Sequence, residues 1–404
     1  MRAEPQGHFG RKRENDPKLA VCLVTDSEEP SGVGEHMLGL ASALLASTAV
    51  SFVCPPSSAG LAFIERARHS GLDTLALHWT EPRATERFRA WLRSREIDIC
   101  HVHAGIGWEG LDIVETARAH VPIVVRTEHL PFLLTDHSER ARYAQMLRQV
   151  DGVICVSKQV RESFLDARVP ASLTTVVRNG VAVHRTPRNR ERIRASLHLG
   201  ADNPMILTVA RFTEQKDYRT LLEAVPSIIA GEPSARFLWV GTGPLEHPMR
   251  REISERGLDR HVLFLGHRHD VPDLMAAADL FTLPSRFEGL PLAVLEAMSA
   301  GRAIVATRVS GTAEAVQDRV TGLLVEPGNP ALLAGAILEV LANPEWRAQL
   351  GARGRARAQR AFGLPRMARE VLSVYHGLLR RSGRPRNAEL SGHPDLSEPI
   401  GVNL

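Results

Sequence analysis

Lysine is nearly missing from this chain. Only Lys12, Lys18, Lys158 and Lys216 stand among 50 basic residues, so 46 are Arg. Cysteine is as scarce: Cys22, Cys54, Cys100 and Cys155 are far apart and form no C-x-x-C. That spacing argues against a disulfide framework or a structural zinc site. No apolar run approaches the roughly 20 residues of a membrane-spanning helix. The first 18 residues are polar and lack the apolar core of a signal peptide. The expected setting is reducing and cytoplasmic, with peripheral attachment at the inner face of the cell membrane as a further expectation. Aromatic residues make up 5% of the chain and do not interleave its charges, so nucleic acid is not an expected partner.

Several nucleotide motifs are absent too. Ser31-Gly32-Val33-Gly34 follows the first strand candidate, yet G-x-G-x-x-G would need glycine where Met37 stands. No G-x-x-x-x-G-K-[ST] string occurs. A nicotinamide dehydrogenase and a P-loop ATPase are disfavoured, and no bound cofactor is expected. What remains around Gly32 and Gly34 is a flexible turn. It suits an anion or a close substrate approach at a helix N-terminus, or is a plain strand–helix turn.

Charge is distributed unevenly. The net value is +4, but residues 345–386 hold eleven Arg and two Glu. This stretch reads as a contact for an anionic membrane surface or as a solvated helix face.

What is present is alternation. Strand candidates at 19–25, 50–54, 73–77, 98–103, 122–127, 152–157 and 173–177 are separated by helix-length segments. After a polar stretch at 184–203 the pattern restarts at 205–210, 235–241, 261–266, 279–284, 302–307 and 322–327. This is the β-α-β signature of parallel sheets covered on both faces. The expected class is α/β, with two Rossmann-like, doubly wound domains at 18–185 and 186–363. Helix 364–381 follows, and disorder is expected at 1–17 and 382–404. Two such domains leave a cleft at their strand ends, where ligands of open α/β sheets bind.

The strand-end loops carry the chemistry. Arg211 and Lys216 follow the first strand of the second domain, a planar fork and a point charge suited to a diphosphate. Gly241 and Gly243 mark another strand exit where backbone must pass close to something. The most specific string is Ser285–Gly301, SRFEGLPLAVLEAMSAG. Gly289 allows a close approach, Pro291 suits the first helical position, and amides from Leu290 through Leu292 and Ala293 offer a phosphate site. Glu288 and Glu296 cannot favourably face phosphates. They are expected to accept hydrogen bonds from sugar hydroxyls, Glu296 from the ribose.

E-G-x-P-x-x-x-x-E-A-M-x-x-G, together with the Arg211…Lys216 loop, resembles the retaining family 4 glycosyltransferases of GT-B fold. The resemblance extends through His101 and His103, Thr127-Glu128-His129, Asn179-Gly180-Val181 and Gly311-Thr312-Ala313-Glu314. It implies a donor diphosphate on Arg211 and Lys216, donor-sugar hydroxyls on Glu288 and the transferred sugar against His129. Gly32, Gly34 and His103 would lie on the phosphate or acceptor side; His101 and His103 also read as plain strand-end histidines. The implied partners are a nucleotide diphosphate-sugar and a glycan, lipid-linked sugar or small polar acceptor, in cell-surface polysaccharide or glycoconjugate synthesis. The implied reaction retains the anomeric configuration and needs no metal. A sugar-nucleotide epimerase and a non-catalytic binding protein of the same fold are the alternatives.

Overall fold

The computed structural model describes residues 18–182 and 190–383. The arm at 1–17, the boundary near 185 and residues 384–404 of the expected tail lie outside them.

The first sheet contains β1 (Leu19–Val24), β2 (Thr48–Cys54), β3 (Asp73–Ala76), β4 (Ile99–Ala104), β5 (Ile123–Glu128), β6 (Gly152–Cys155) and β7 (Thr174–Val176). Its order is β3-β2-β1-β4-β5-β6-β7. The second contains β8 (Met205–Val209), β9 (Arg236–Val240), β10 (Val262–Gly266), β11 (Leu280–Leu283), β12 (Ala303–Thr307) and β13 (Leu323–Val325), in the order β10-β9-β8-β11-β12-β13. Every pairing is parallel. All thirteen strand candidates are strands, most of them trimmed by a residue or two; β2 begins two residues earlier than expected, and β4 and β5 are each shifted by one. Their Val/Ile/Leu runs are continuous because helices cover both faces.

Helices α1 (Ser31–Leu44), α2 (Ser58–His69), α3 (Ala84–Ser94), α4 (Leu111–Arg118), α5 (His137–Leu147) and α6 (Lys158–Asp166) clothe the first sheet. The second follows α7 (Arg190–Ser196) and carries α8 (Tyr218–Gly231), α9 (Glu246–Glu255), α10 (Val271–Ala277), α11 (Leu292–Ser299), α12 (Ser310–Ala315), α13 (Pro330–Ala342) and α14 (Pro344–Ala361). The polar stretch before β8 is thus partly helical. Arg194 of α7 is buried, pairs with Asp279 at 3.1 Å and donates to the Gly200 carbonyl at 2.7 Å.

The last helix, α15 (Leu364–Arg381), returns to the first sheet. Leu364, Met367, Val371, Leu372 and Tyr375 share a core with Leu23, Leu40, Phe52 and Ile99. The Asn179-Gly180-Val181 string is where this return is stitched. The Val181 amide donates to the Phe362 carbonyl at 2.8 Å, and a Cβ on Gly180 would press within 3.0 Å of Gly363 and Leu364. Part of the Arg-rich stretch is spent internally. Arg357 donates to the Ala315 and Glu314 carbonyls, and Arg366 to those of Arg178 and Asn179.

Both sheets reverse their strand order beside the first strand, between β1 and β4 and between β8 and β11. A crevice opens at such switch points. The Gly32–Gly34, Arg211–Lys216 and Ser285–Gly301 strings leave three of these four strands, β1, β8 and β11.

Candidate active site

The loop after β8 and the loop after β11 are bonded into one floor. Lys216 Nζ donates to Glu288 Oε1 at 2.5 Å, and the Ser285 hydroxyl donates to the same oxygen at 2.7 Å. Gln215 Nε2 donates to the Phe287 carbonyl at 3.1 Å, and the Arg286 amide to the Gln215 carbonyl at 2.8 Å. Glu288 is buried, so its charge is held by Lys216 rather than by water. Arg211 is half-buried and has no side-chain partner among the described residues. A guanidinium kept from solvent without a carboxylate is suited to receive an anion.

The glycine pairs have specific reasons. Gly241 and Gly243 have φ of 133° and 155°, and Cβ atoms there would fall 2.1 Å from the Ala210 carbonyl oxygen and 2.6 Å from that of Phe212. What passes close to this turn is therefore the Arg211 loop itself. A Cβ on Gly289 would lie 1.8 Å from the His129 carbonyl oxygen, and one on Gly311 would lie 1.7 Å from the Gly289 carbonyl oxygen. Three backbones, two from the second domain and one from the first, stack at the centre of the cleft.

Helix α11 begins at Leu292, with Pro291 as its N-cap rather than its first helical residue. No side chain caps it, so the amides at Leu292 and Ala293 are free for a ligand. The Leu290 carbonyl accepts from Asn179 Nδ2 at 2.7 Å, a tie to the first domain. Glu314 makes another: it accepts from the Lys158 amide at 2.7 Å and from Arg178 Nε at 2.5 Å.

Glu296 is half-buried on α11 and faces the first domain. Desolvation and then the Glu35 carboxylate push its pKa up to about 7, against the pull of Arg66. Arg66 and Glu35 form a two-pronged pair at 2.6 and 2.9 Å. They meet because α1 and α2 run close at Gly34, where a Cβ would press into the Phe63 ring at 2.8 Å. Gly34 therefore has a packing reason, whereas Gly32 is exposed and has open space beside it. Neither Glu35 nor Arg66 stands out in the sequence, since only the fold brings them opposite Glu296.

On the first-domain side His36, His103 and His129 converge, with one ring nitrogen of each within 4.8 Å of the others. Among the described residues this is the one group with metal-capable spacing. His103 Nδ1 and His129 Nε2 lie 3.3 Å apart, while His36 Nδ1 and His103 Nε2 are buried without a partner. His101 stacks behind His103, its two ring nitrogens each 2.6 Å from Tyr375 and Thr127 hydroxyls. Burial lowers the pKa of all four, His36 to about 4 and His101 to about 3. The cluster is neutral and offers lone pairs and N–H donors to a polar ligand. His36, on α1 two residues past Gly34, escaped the sequence reading.

Beneath the His129 loop lies a buried pair, Arg126 Nε to Glu128 Oε1 at 2.5 Å, with the Tyr143 hydroxyl donating to Glu128 at 2.7 Å. Arg126 also donates to the Glu109 and Gly107 carbonyls, fixing the loop after β4.

Residues 30–185 match the model "Glycosyltransferase Family 4" and residues 189–357 match "Glycosyl transferases group 1". A GDP-mannose-dependent monoacylated alpha-(1-6)-phosphatidylinositol monomannoside mannosyltransferase of Corynebacterium glutamicum is 30% identical over 239 residues. That stretch is 56% of this chain and 62% of the relative. A GDP-mannose-dependent alpha-(1-6)-phosphatidylinositol monomannoside mannosyltransferase of Mycobacterium tuberculosis is 32% identical over 51% of this chain. The match spans 56% of its length, so the chain covers little more than half of these relatives. The solved structure of Anabaena Alr3699/HepE in complex with UDP and glucose has the same GT-B fold. It has a TM-score of 0.77, 19% identity, and coverage of 89% of this chain and 100% of that one.

Proposed function

Because the chain belongs to the family 4, group 1 glycosyltransferases, we propose that it moves a hexose from a nucleotide diphosphate-sugar to a lipid-linked or glycan hydroxyl, with retention. The observation that carries this reading is Arg211, without a side-chain partner among the described residues, on a floor shared with Lys216, Glu288 and the uncapped start of α11. A diphosphate placed there meets two cations and free amides. Charge that develops on the leaving oxygen is then met without reorganisation. We place no metal in the chemistry and no resident cofactor in the protein.

The rest of the cleft fits the remaining groups of such a donor. Glu296 accepts from ribose hydroxyls, Glu288 from the sugar, and Gly289 to Ala293 supply backbone. His129 lies against the transferred sugar, and the neutral cluster of His36 and His103 borders the acceptor side with Gly32. The acceptor oxygen attacks the anomeric carbon on the face the leaving group vacates. The bond to the diphosphate breaks, and a diphosphate oxygen takes the acceptor proton. No protein nucleophile is needed, and Glu288 is held by Lys216 instead of standing free. The relatives' names make GDP-mannose the first donor to try and a phosphatidylinositol-linked sugar the first acceptor. Such an acceptor places the reaction at the cytoplasmic face of a membrane, in glycoconjugate or polysaccharide synthesis; no described helix is long and apolar enough to cross one.

The test is transfer from GDP-α-mannose, with the product anomer read by NMR. An α-linked product is expected. A β-linked product would sink the retaining mechanism, and interconversion of free sugar nucleotides without acceptor would replace transfer by epimerisation.

A further inference from the structure

Two loops on the first domain form a lip beside the cleft. The loop after β4 carries Trp108, 48% exposed, and the loop after β5 carries Leu133, 36% exposed. They touch, since a Cβ on Gly107 would lie 2.8 Å from the Leu134 side chain. Arg126 fixes the first of them from below. Both start at residues of the histidine cluster: five positions separate Trp108 from His103, and three separate Phe132 from His129.

Directly behind this lip, between α5 and the end of α6, is a cavity of about 230 Å³. Its apolar lining includes Phe132, Tyr143, Leu147 and Val169, with Arg140 and Arg168 also on its wall. Arg168 is exposed, sits at φ 67° and has no side-chain partner among the described residues. Arg140 donates only its Nε, to the Leu134 carbonyl at 2.8 Å. Residues 137–148 add Arg142 and Arg148 against a single acid, Glu139. An apolar hollow with unneutralised guanidiniums at its edge is complementary to an amphipathic anion, and a hydrocarbon chain ending in phosphate is one that meets both features.

We infer that this cavity holds the chain of an amphipathic lipid phosphate, whose phosphate lies on Arg140 and Arg168 and whose head group reaches the cleft at His129. The inference rests on the transfer reading above and names its acceptor class. Trp108 and Leu133 then dip into the apolar layer from which the lipid comes, so the lip is the docking edge. The Arg-rich stretch at 345–386 is not the anchor in this arrangement.

The full chain is titrated with dioctanoyl phosphatidic acid below its micelle concentration, followed by calorimetry and by tryptophan emission. Dioctanoyl glycerol supplies the chain without phosphate, and inorganic phosphate the reverse. Phosphatidic acid should bind at least tenfold more tightly than either and shift the emission to the blue, a shift that Trp108→Phe abolishes. Ala144→Trp, at an exposed α5 position on the cavity wall, and Arg168→Glu should each weaken binding at least tenfold, with nucleotide binding kept within twofold. Equal binding of inorganic phosphate or of dioctanoyl glycerol, unchanged affinity in both variants, or no binding at all would overturn it. If transfer to a soluble acceptor persists in those cases, this inference falls alone. If lipid binds and no sugar is transferred, the transferase reading falls instead.

Discussion

At the scale of single residues, Glu296 carries the clearest consequence. A carboxylate raised to about 7 by desolvation and Glu35 is roughly one-tenth ionised at pH 6 and nine-tenths ionised at pH 8. Ribose hydroxyls donate best to the ionised form. Nucleotide affinity should therefore rise about five- to tenfold more from pH 6 to pH 8 in wild type than in Glu296→Gln, which keeps only the titration of the diphosphate itself. Calorimetric titrations across that range measure it, and the same profile in both proteins would remove Glu296 from the ribose. The carboxylate was legible in the sequence as one of the two acids of the Ser285–Gly301 string. Its neighbours were not: Glu35 and Arg66 are ordinary surface residues of α1 and α2 until the fold sets them against Glu296. His36 is hidden for the same reason, its partners being 67 and 93 residues further along the chain (positions 103 and 129).

At the scale of elements, strand positions and motif loops were readable because parallel strands are apolar on both faces and their exits carry glycine and charge. Less readable was what each glycine faces. Gly241 and Gly243 accommodate the Arg211 loop, whereas Gly289 accommodates the other domain. Gly289→Ala should thus act as a wedge between domains. Turnover is expected to fall at least about a hundredfold, since misplacement of roughly 1 Å has that effect. The second domain should keep its nucleotide affinity within a few-fold, and small-angle scattering should show a wider molecule. Wild-type turnover in this variant would mean that the His129–Gly289 approach is not part of the working state. The Arg-rich end of the chain was the element most open to misreading, because composition does not distinguish guanidiniums spent on carbonyls, such as Arg357, from those left in solvent.

At the scale of the whole molecule, α15 ties the two domains into one object, and its Tyr375 rests on His101 in the centre of the first core. Four neutral histidines there make stability depend on pH. Their folded pKa values lie below the ordinary 6.5, so between pH 6.5 and about 4 the unfolded chain binds protons that the folded chain refuses. The stabilisation is complete above pH 6.5 and declines as pH falls, by up to about 1.4 kcal/mol per pH unit for each histidine. Urea unfolding at pH 7.5, 6 and 5 should show this decline before most carboxylates titrate. Equal stability at pH 7.5 and 5 would contradict neutral burial of the cluster.

The central claim is that Arg211, Glu296 and the start of α11 form one nucleotide-diphosphate site. It is tested most directly by calorimetric titration of GDP, UDP and ADP into wild type, Arg211→Ala and Glu296→Ala. The account predicts micromolar binding of one nucleotide, weakened about tenfold or more in each variant. Binding that is absent for all three nucleotides, or unchanged in both variants, would contradict it.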